Sequence, residues 1–134
     1  MSFATDINTV LTADSSLNSY ADGGIHYENL IDNWLAETDD DVWIVYSFNK
    51  SNQTDCLTSK NLFMTYDLAI NVIQRNTNTQ IDIITDRLLN YLNNYEAGSI
   101  IDIAFIRDQG GMVQQQGIYT NTLDFQCTYI ESNI

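Results

Sequence analysis

The clearest pattern in the chain is that every even position from residue 62 to residue 72 is apolar. The intervening odd positions include Thr65, Asp67 and Asn71. Because successive side chains of a strand point to opposite faces, this period of two predicts a long strand with one face on the core. The apolar residues are Leu62, Met64, Tyr66, Leu68, Ile70 and Val72.

Three other segments also read as strands. Residues Val42–Phe48 are apolar on both faces, which is typical of a central strand. Ile100–Arg107 alternates imperfectly, and Ile118–Ile130 places apolar residues on one face. Gly24–Ile31 is a further candidate for a first strand, through Ile25 and Tyr27, followed by a turn or half-helix around Trp34 and Leu35 that the pattern leaves open.

Two segments show the spacing of amphipathic helices. The first has Phe3, Ile7, Val10 and Leu11 on one stripe, with Ser2 or Thr5 as its predicted N-cap. The second helix follows a turn over residues 75–79, with Thr77 or Thr79 as its N-cap and Gly98 as the left-handed residue after its end. Its stripe consists of Ile81, Ile84, Leu88, Leu92 and Tyr95.

This order of elements predicts one α+β domain over residues 1–134. We expect an antiparallel sheet of four to five strands, with the N-terminal helix and one main helix packed on one face.

Three polar segments are predicted to connect these elements. Residues 15–24 read as a loop, and Asn49–Asn61 is either a long hairpin loop or a ragged strand end. Asp108–Gly117 reads as a hairpin loop rich in glycine and glutamine, longer than a hairpin needs. An ordinary connection is one interpretation of this last loop, and a partner-contacting loop is the other.

The second and third of these segments supply the candidate contacts for assembly. These residues are Lys50, Asn52, Gln53, Lys60, Asp108, Gln109, Gly110, Gly111, Gln114, Gln115 and Gln116.

The charge balance limits the partners of the chain. Eighteen acidic residues stand against five basic ones, for a net charge of −13. This argues against a nucleic-acid-binding domain, which needs Lys and Arg against phosphate, and against docking on anionic lipid. No apolar run approaches the length of a membrane-spanning helix, and residues Met1–Asp6 lack the features of a signal peptide. We therefore expect the chain to stay in a cytoplasm after synthesis.

Few residues point to catalysis. His26 is the single histidine, so any Ser/His/Asp or Cys/His arrangement needs it, and its place between Ile25 and Tyr27 favours a structural or surface role. Cys56 and Cys127 form no metal-ligand motif and are predicted to be buried thiols rather than a disulfide. We predict no catalytic, cofactor-binding or metal-binding residue, and a protein that is not an enzyme.

The run Asp39, Asp40 and Asp41 allows two interpretations. Several carboxylates in a row are suitable ligands for calcium or magnesium. However, the apolar strand from Val42 leaves no place for the glycine and the final acid of an EF-hand loop. The run is therefore interpreted as a solvated charge cluster that opens a strand, with cation binding at an interface left open.

Two stretches resemble the tail terminator proteins of tailed bacteriophages, also called tail completion or head–tail joining proteins. They are Tyr66–Gln74 leading into the helix Ile81–Leu92, and the closing strand Ile118–Tyr129. The resemblance implies a short N-terminal helix before a sheet whose long strand leads into the main helix. It also implies a hexameric ring at the head-proximal end of the tail tube, which ends tube polymerisation and provides the surface for head–tail joining.

The resemblance further implies partners and a location. The partners are other copies of the chain, the tail tube protein and neck or connector proteins, with DNA passing through the lumen without specific binding and no membrane. The chain would reside in the tail or neck of the virion, and in the host cytoplasm during assembly. Two alternatives are a phage neck or head-completion connector, and a small α+β ligand-binding or enzyme domain resting on His26 or one perturbed aspartate.

Overall fold

The computed structural model describes residues 2–27, 41–55, 61–77, 79–115 and 117–132. These residues form three helices and five strands. The helices are α1 (Phe3–Ala13), α2 (Ser15–Tyr20) and α3 (Ile81–Leu92). The strands are β1 (Ile25–Tyr27), β2 (Val42–Asp55), β3 (Asn61–Arg75), β4 (Ile100–Gln115) and β5 (Ile118–Ser132).

The five strands form one sheet in the order β1-β2-β3-β5-β4. The four long strands pair antiparallel with their neighbours, whereas β1 pairs parallel with β2 through Ile44–Tyr46. The sheet is therefore mixed, with a parallel strand at one edge. The predicted α+β class, with an N-terminal helix and one main helix against the sheet, is confirmed.

The main core lies between one face of the sheet and the helices. The alternation along β3 is confirmed, since Met64, Tyr66, Leu68, Ile70 and Val72 are all buried in this core. Both predicted helical stripes face the same core, with Tyr95 only partly buried at its margin. The remaining buried stripe residues are Phe3, Ile7, Val10, Leu11, Ile81, Ile84, Leu88 and Leu92.

The opposite face of the sheet carries a second, smaller apolar cluster at one end. It consists of Trp43 and Val45 of β2, Ile73 of β3 and Ile118 of β5. The prediction that β2 is apolar on both faces is therefore confirmed, and it follows from two separate cores on the two sides of the strand.

The prediction of a loop over residues 15–24 is wrong for its first part. Helix α2 occupies Ser15–Tyr20, and only Leu17 within it is buried. The Asn18 side chain holds the junction with α1 by donating to the carbonyls of Thr12 (2.7 Å) and Asp14 (2.9 Å). One buried residue in a short polar helix leaves no periodic signal, so the sequence reads as a loop.

The polar stretch after Phe48 is a strand rather than a hairpin loop as far as Asp55, so the strand-end alternative is the correct one there. Strand β2 continues to Asp55, with a register shift between Lys50 and Asn52. A bulge of this kind interrupts the alternation that would otherwise reveal the strand. The rest of the stretch, residues 56–60, lies outside the described residues.

The prediction of a loop over Asp108–Gly117 is also wrong as far as Gln115. Strand β4 continues through this segment to Gln115 and pairs with β5. The register shifts between Asp108 and Gly111, where Gly110 adopts a φ of 85° and its N–H donates to Asp108 Oδ1 (2.8 Å). Glycine adopts such a conformation without steric cost, so it accommodates a bulge inside a strand as readily as a turn.

The ends of the helices confirm some predicted caps and correct others. Ser2 caps α1, with its Oγ accepting from the Thr5 N–H (3.2 Å). At α3 neither Thr77 nor Thr79 is the cap: the N-cap is Gln80, whose N–H donates to the buried Gln74 side chain (3.0 Å).

The C-terminal end of α3 comes earlier than the stripe predicts. The helix ends at Leu92 with Asn93 as its C-cap, and Asn94 (φ 66°) takes the left-handed position directly after it. Gly98 is left-handed as predicted (φ 59°), but it belongs to a later turn.

Candidate assembly surface

The two predicted contact segments lie at opposite sides of the sheet. Lys50, Asn52 and Gln53 belong to β2, which is flanked on its outer side by β1 alone among the described strands. Lys60 and Gln116 lie outside the described residues. The other predicted contacts belong to the edge strand β4: Asp108, Gln109, Gly110, Gly111, Gln114 and Gln115. The fold separates the two groups by β3 and β5, so it does not bring them together within one chain.

The first part of the β4 edge is covered by the turn that follows α3. Ala97 and Ile100 exchange two backbone hydrogen bonds of 3.0 Å each. The Asn94 N–H donates to the Ile103 carbonyl (2.7 Å), and the Phe105 N–H donates to Asn93 Oδ1 (3.2 Å). Covering an edge in this way prevents uncontrolled pairing with other chains.

From Phe105 to Gly110, β4 is exposed on both faces. Every residue from Phe105 to Gly110 is exposed, including Phe105 at 36% and Ile106 at 54%. Arg107 and Gln109 hold this part to β5, since both donate to Asp124 Oδ2, at 2.7 and 2.8 Å. Within the described ranges, no strand pairs with its outer side from Arg107 to Gln115.

Sequence reasoning did not single out Phe105 and Ile106 as surface residues. The register shifts between Phe105 and Arg107, and this bulge turns consecutive apolar side chains towards solvent. The imperfect alternation of Ile100–Arg107 was the signal that could have located them.

A hollow of about 310 Å³ lies on the polar face of the sheet, beside this exposed part of β4. Its one cation, Arg107, is paired with Asp124 (2.7 Å), and the Arg107 side chain is itself largely exposed. This is not the enclosed pocket around a buried acid that the enzyme alternative requires. The lining residues are Ser47, Asn49, Asp67, Leu68, Ala69, Ile106, Arg107, Asp124 and Phe125.

The histidine and the described cysteine lie in ordinary packing or hydrogen-bonding environments. His26 is partly buried in β1, with its Nε2 2.8 Å from the Gly23 carbonyl oxygen. Cys127 is a fully buried thiol, as predicted, and burial raises its pKa to about 12. Cys56 lies outside the described residues.

The acidic run is described only at its last member. Asp41 Oδ1 lies 3.8 Å from Arg75 Nε, while Asp39 and Asp40 lie outside the described residues. In the part of the chain that the structure describes, no three His, Cys, Asp or Glu side chains form a group that could hold a metal. No helix there is long and apolar enough to cross a bilayer.

A bidentate ion pair joins α3 to the junction between α1 and α2. Asp14, between α1 and α2, accepts from Arg87 Nε (2.8 Å) and Nη2 (2.6 Å) of α3. These hydrogen bonds lower the pKa of the Asp14 carboxyl below its usual 3.8, against the opposing effect of its burial. The two residues are far apart in sequence, so no local pattern could have predicted the pair.

We expect Asp14→Asn to lower stability in a pH-dependent way. Because the pKa of Asp14 is depressed in the folded chain, the pair stabilises the fold above the ordinary value of 3.8. That stabilisation disappears as the pH falls through the folded-state pKa. Urea unfolding should show a lower midpoint for the variant near neutral pH, and a smaller difference at an acidic pH below 3.8. An equal difference at both pH values would contradict this assignment.

The features above define a class of protein by its fold. It is an α+β domain with three helices and a five-stranded mixed sheet in its described part, and β4 is the outer strand at one side of that sheet.

Comparison with known proteins finds this fold in a solved structure. No family model matches the chain, and no curated protein sequence matches it. A chain in the virion of a native gene transfer agent particle is similar in structure, with a TM-score of 0.68. The two share 12% sequence identity, and the match covers 93% of this chain and 92% of that one. At this identity the likeness shows a common fold.

Proposed function

We propose that the chain is a structural virion protein of a tailed phage-like particle. The observation that carries this proposal is the fold shared, over nearly its whole length, with a chain of a gene transfer agent virion. The resemblance of Tyr66–Gln74, Ile81–Leu92 and Ile118–Tyr129 to tail terminator proteins makes the role more specific. In this role the chain is one domain without catalytic activity, which forms a ring at the head-proximal end of the tail tube.

The ring would end tube polymerisation and provide the surface for head–tail joining. Its partners are further copies of the chain, the tail tube protein and neck proteins. A sheet whose outer described strands differ, β1 at one side and β4 at the other, supports this role, because contacts between unlike surfaces form a ring when the rotation between copies closes. The acidic character of the chain, at a net charge of −13, suits a lumen through which DNA passes without binding.

We expect ring formation to require salt or magnesium. Six copies carry 6 × −13, or −78 formal charges, and screening shortens the range of their repulsion to about 10 Å at 0.1 M salt. Native mass spectrometry or light scattering should show a species of 6 × 15.2 kDa, about 91 kDa, that increases with salt or magnesium. Electron microscopy of that species should show a pore.

The second part of the test uses tail tubes, because in the proposed role the tube is the template on which the ring closes. The proposal predicts that the protein co-sediments with tail tubes and caps one end of each. A 15.2 kDa monomer under all conditions, with no binding to tubes, would overturn it. Co-purification with portal–connector complexes instead of tubes would identify a neck connector and overturn the terminator role.

A further inference from the structure

We propose that the hollow on the sheet face opposite the main core receives an arginine side chain from a partner protein that is not another copy of this chain. The inference rests on the proposed role in a virion, because that role supplies partners of other kinds. It specifies where such a partner contacts the chain and by which chemistry.

The first support is that the hollow is a preformed feature of the sheet. All four long strands contribute residues to its lining, and each of these strands is paired with the next by backbone hydrogen bonds. Its volume of about 310 Å³ lies at the small end of the range for ligand sites in proteins. The hollow therefore suits one inserted side chain, and little free energy is lost in ordering it.

The second support is the charge at the hollow. Of its two carboxylates, Asp124 is paired with Arg107, whose Nε lies 2.7 Å from Asp124 Oδ2. Asp67 is exposed and forms no ion pair with any described residue. Its cross-strand neighbours are Asn49 and Gln126, which are uncharged. The hollow therefore presents one uncompensated carboxylate, which attracts a cationic group and repels phosphate.

The third support is the apolar surface beside this carboxylate. Ile106 lines the same hollow while exposing 54% of its surface, and Ala69 lines it too. An arginine side chain matches this combination, because its aliphatic stem packs on apolar atoms while its guanidinium donates two hydrogen bonds to one carboxylate. Arginine is also enriched in protein interfaces, where lysine is depleted.

The fourth support is that this chain has no spare arginine to offer. Each of its three arginines forms an ion pair within the chain. These pairs are of Arg75 with Asp41, of Arg87 with Asp14 and of Arg107 with Asp124. A second copy would have to break one of these pairs to fill the hollow. A different protein with an exposed arginine does not have this cost, and the net charge of −13 favours a basic partner.

A titration with short peptides tests the site directly. The probe is acetyl-Leu-Arg-Leu-amide, and the control peptide carries glutamate in place of the arginine. In NMR spectra of the isotope-labelled chain, we expect the arginine peptide to shift the amide signals of Ser47, Asp67 and Ile106. We expect the glutamate peptide to leave them unchanged. The absence of shifts with the arginine peptide, or equal shifts with both peptides, would overturn the site.

Two matched substitutions test the role of the unpaired carboxylate. Asp67→Asn removes the charge at the hollow, and Asp86→Asn removes the same charge from an exposed position of α3. We expect the affinity for the arginine peptide to fall by about tenfold for Asp67→Asn, as for the loss of a charged hydrogen bond, and by less than about twofold for Asp86→Asn. Urea unfolding checks that both variants remain folded. Equal losses would indicate general attraction to an acidic chain and would overturn the site.

Assembly assays identify the source of the arginine. If it belongs to another virion protein, Asp67→Asn should weaken co-sedimentation with tail tubes or with portal–connector complexes. Ring formation should then be the same for Asp67→Asn and Asp86→Asn, because both variants have the same net charge. A selective loss of ring formation in Asp67→Asn would place a second copy at the hollow and overturn the inference.

The outcomes separate this inference from the function on which it rests. If rings form and tubes bind, but Asp67→Asn behaves like Asp86→Asn in every assay, the arginine site is overturned and the function stands. If the wild type forms no rings and binds neither tubes nor connectors, the proposed function is overturned. The peptide titration then still decides whether the hollow binds arginine.

Discussion

Replacing Phe3 with alanine is expected to lower the free energy of unfolding by about 3–5 kcal/mol. Phe3 is 2% exposed and anchors α1 to the sheet. Its ring stacks on Tyr66 with 4.0 Å between centroids, and it makes edge contacts with Phe48 (5.0 Å) and Tyr129 (5.3 Å). Alanine would leave a cavity bordered by rings from three strands, and the paired sheet restricts how far these strands can move to fill it.

A loss of this size is a large part of the total stability of a domain, which is about 5–15 kcal/mol. Urea unfolding followed by circular dichroism measures it. The control is Ile83→Ala, which removes a half-exposed apolar side chain of α3 and should cost less than about 1 kcal/mol. A similar small loss for Phe3→Ala would mean that α1 is not held by this aromatic cluster.

Gly23→Ala is expected to lower the free energy of unfolding by about 1–3 kcal/mol, the second largest loss predicted after Phe3→Ala. A Cβ atom at this position would lie under 3.0 Å from three atoms of the Trp43 indole. Neither partner has an easy way to move. Trp43 is 2% exposed in the smaller apolar cluster, and the Gly23 N–H donates to the Val42 carbonyl (2.8 Å), which fixes the backbone beside it.

The specificity of this clash can be measured with a double-mutant cycle. Trp43→Phe shortens the ring, so Gly23→Ala should cost less in that background than in the wild type. The emission of Trp43 should also change in the single variant, because its packing changes. Equal costs in both backgrounds would show that the methyl group and the indole do not compete for the same space.

The sequence predicted the interior of this protein well. The alternation of residues 62–72 and the stripes beginning at Phe3 and Ile81 each place side chains that are buried in the structure. These patterns are informative because the period of apolar residues follows directly from the geometry of strands and helices. Two-sided burial of β2 was visible for the same reason, since both of its faces are apolar.

The ends and edges of the elements were predicted poorly. The second half of β4 and the end of β2 are polar and interrupted by bulges, so their sequences resemble loops. They are strands because neighbouring strands offer them backbone hydrogen bonds, which any side chain permits. The same holds for α2, where one buried leucine and the polar contacts of Asn18 decide the conformation.

The sequence by itself therefore determined the α+β class, the core-facing residues and the acidic character of the protein. These properties depend on the identity and spacing of nearby residues. The tertiary structure alone decided the strand order, the ion pair between Asp14 and Arg87, the cover over the first half of β4 and the exposure of Ile106. Those features depend on which distant segments meet, and backbone pairing and long-range packing leave no local pattern in the chain.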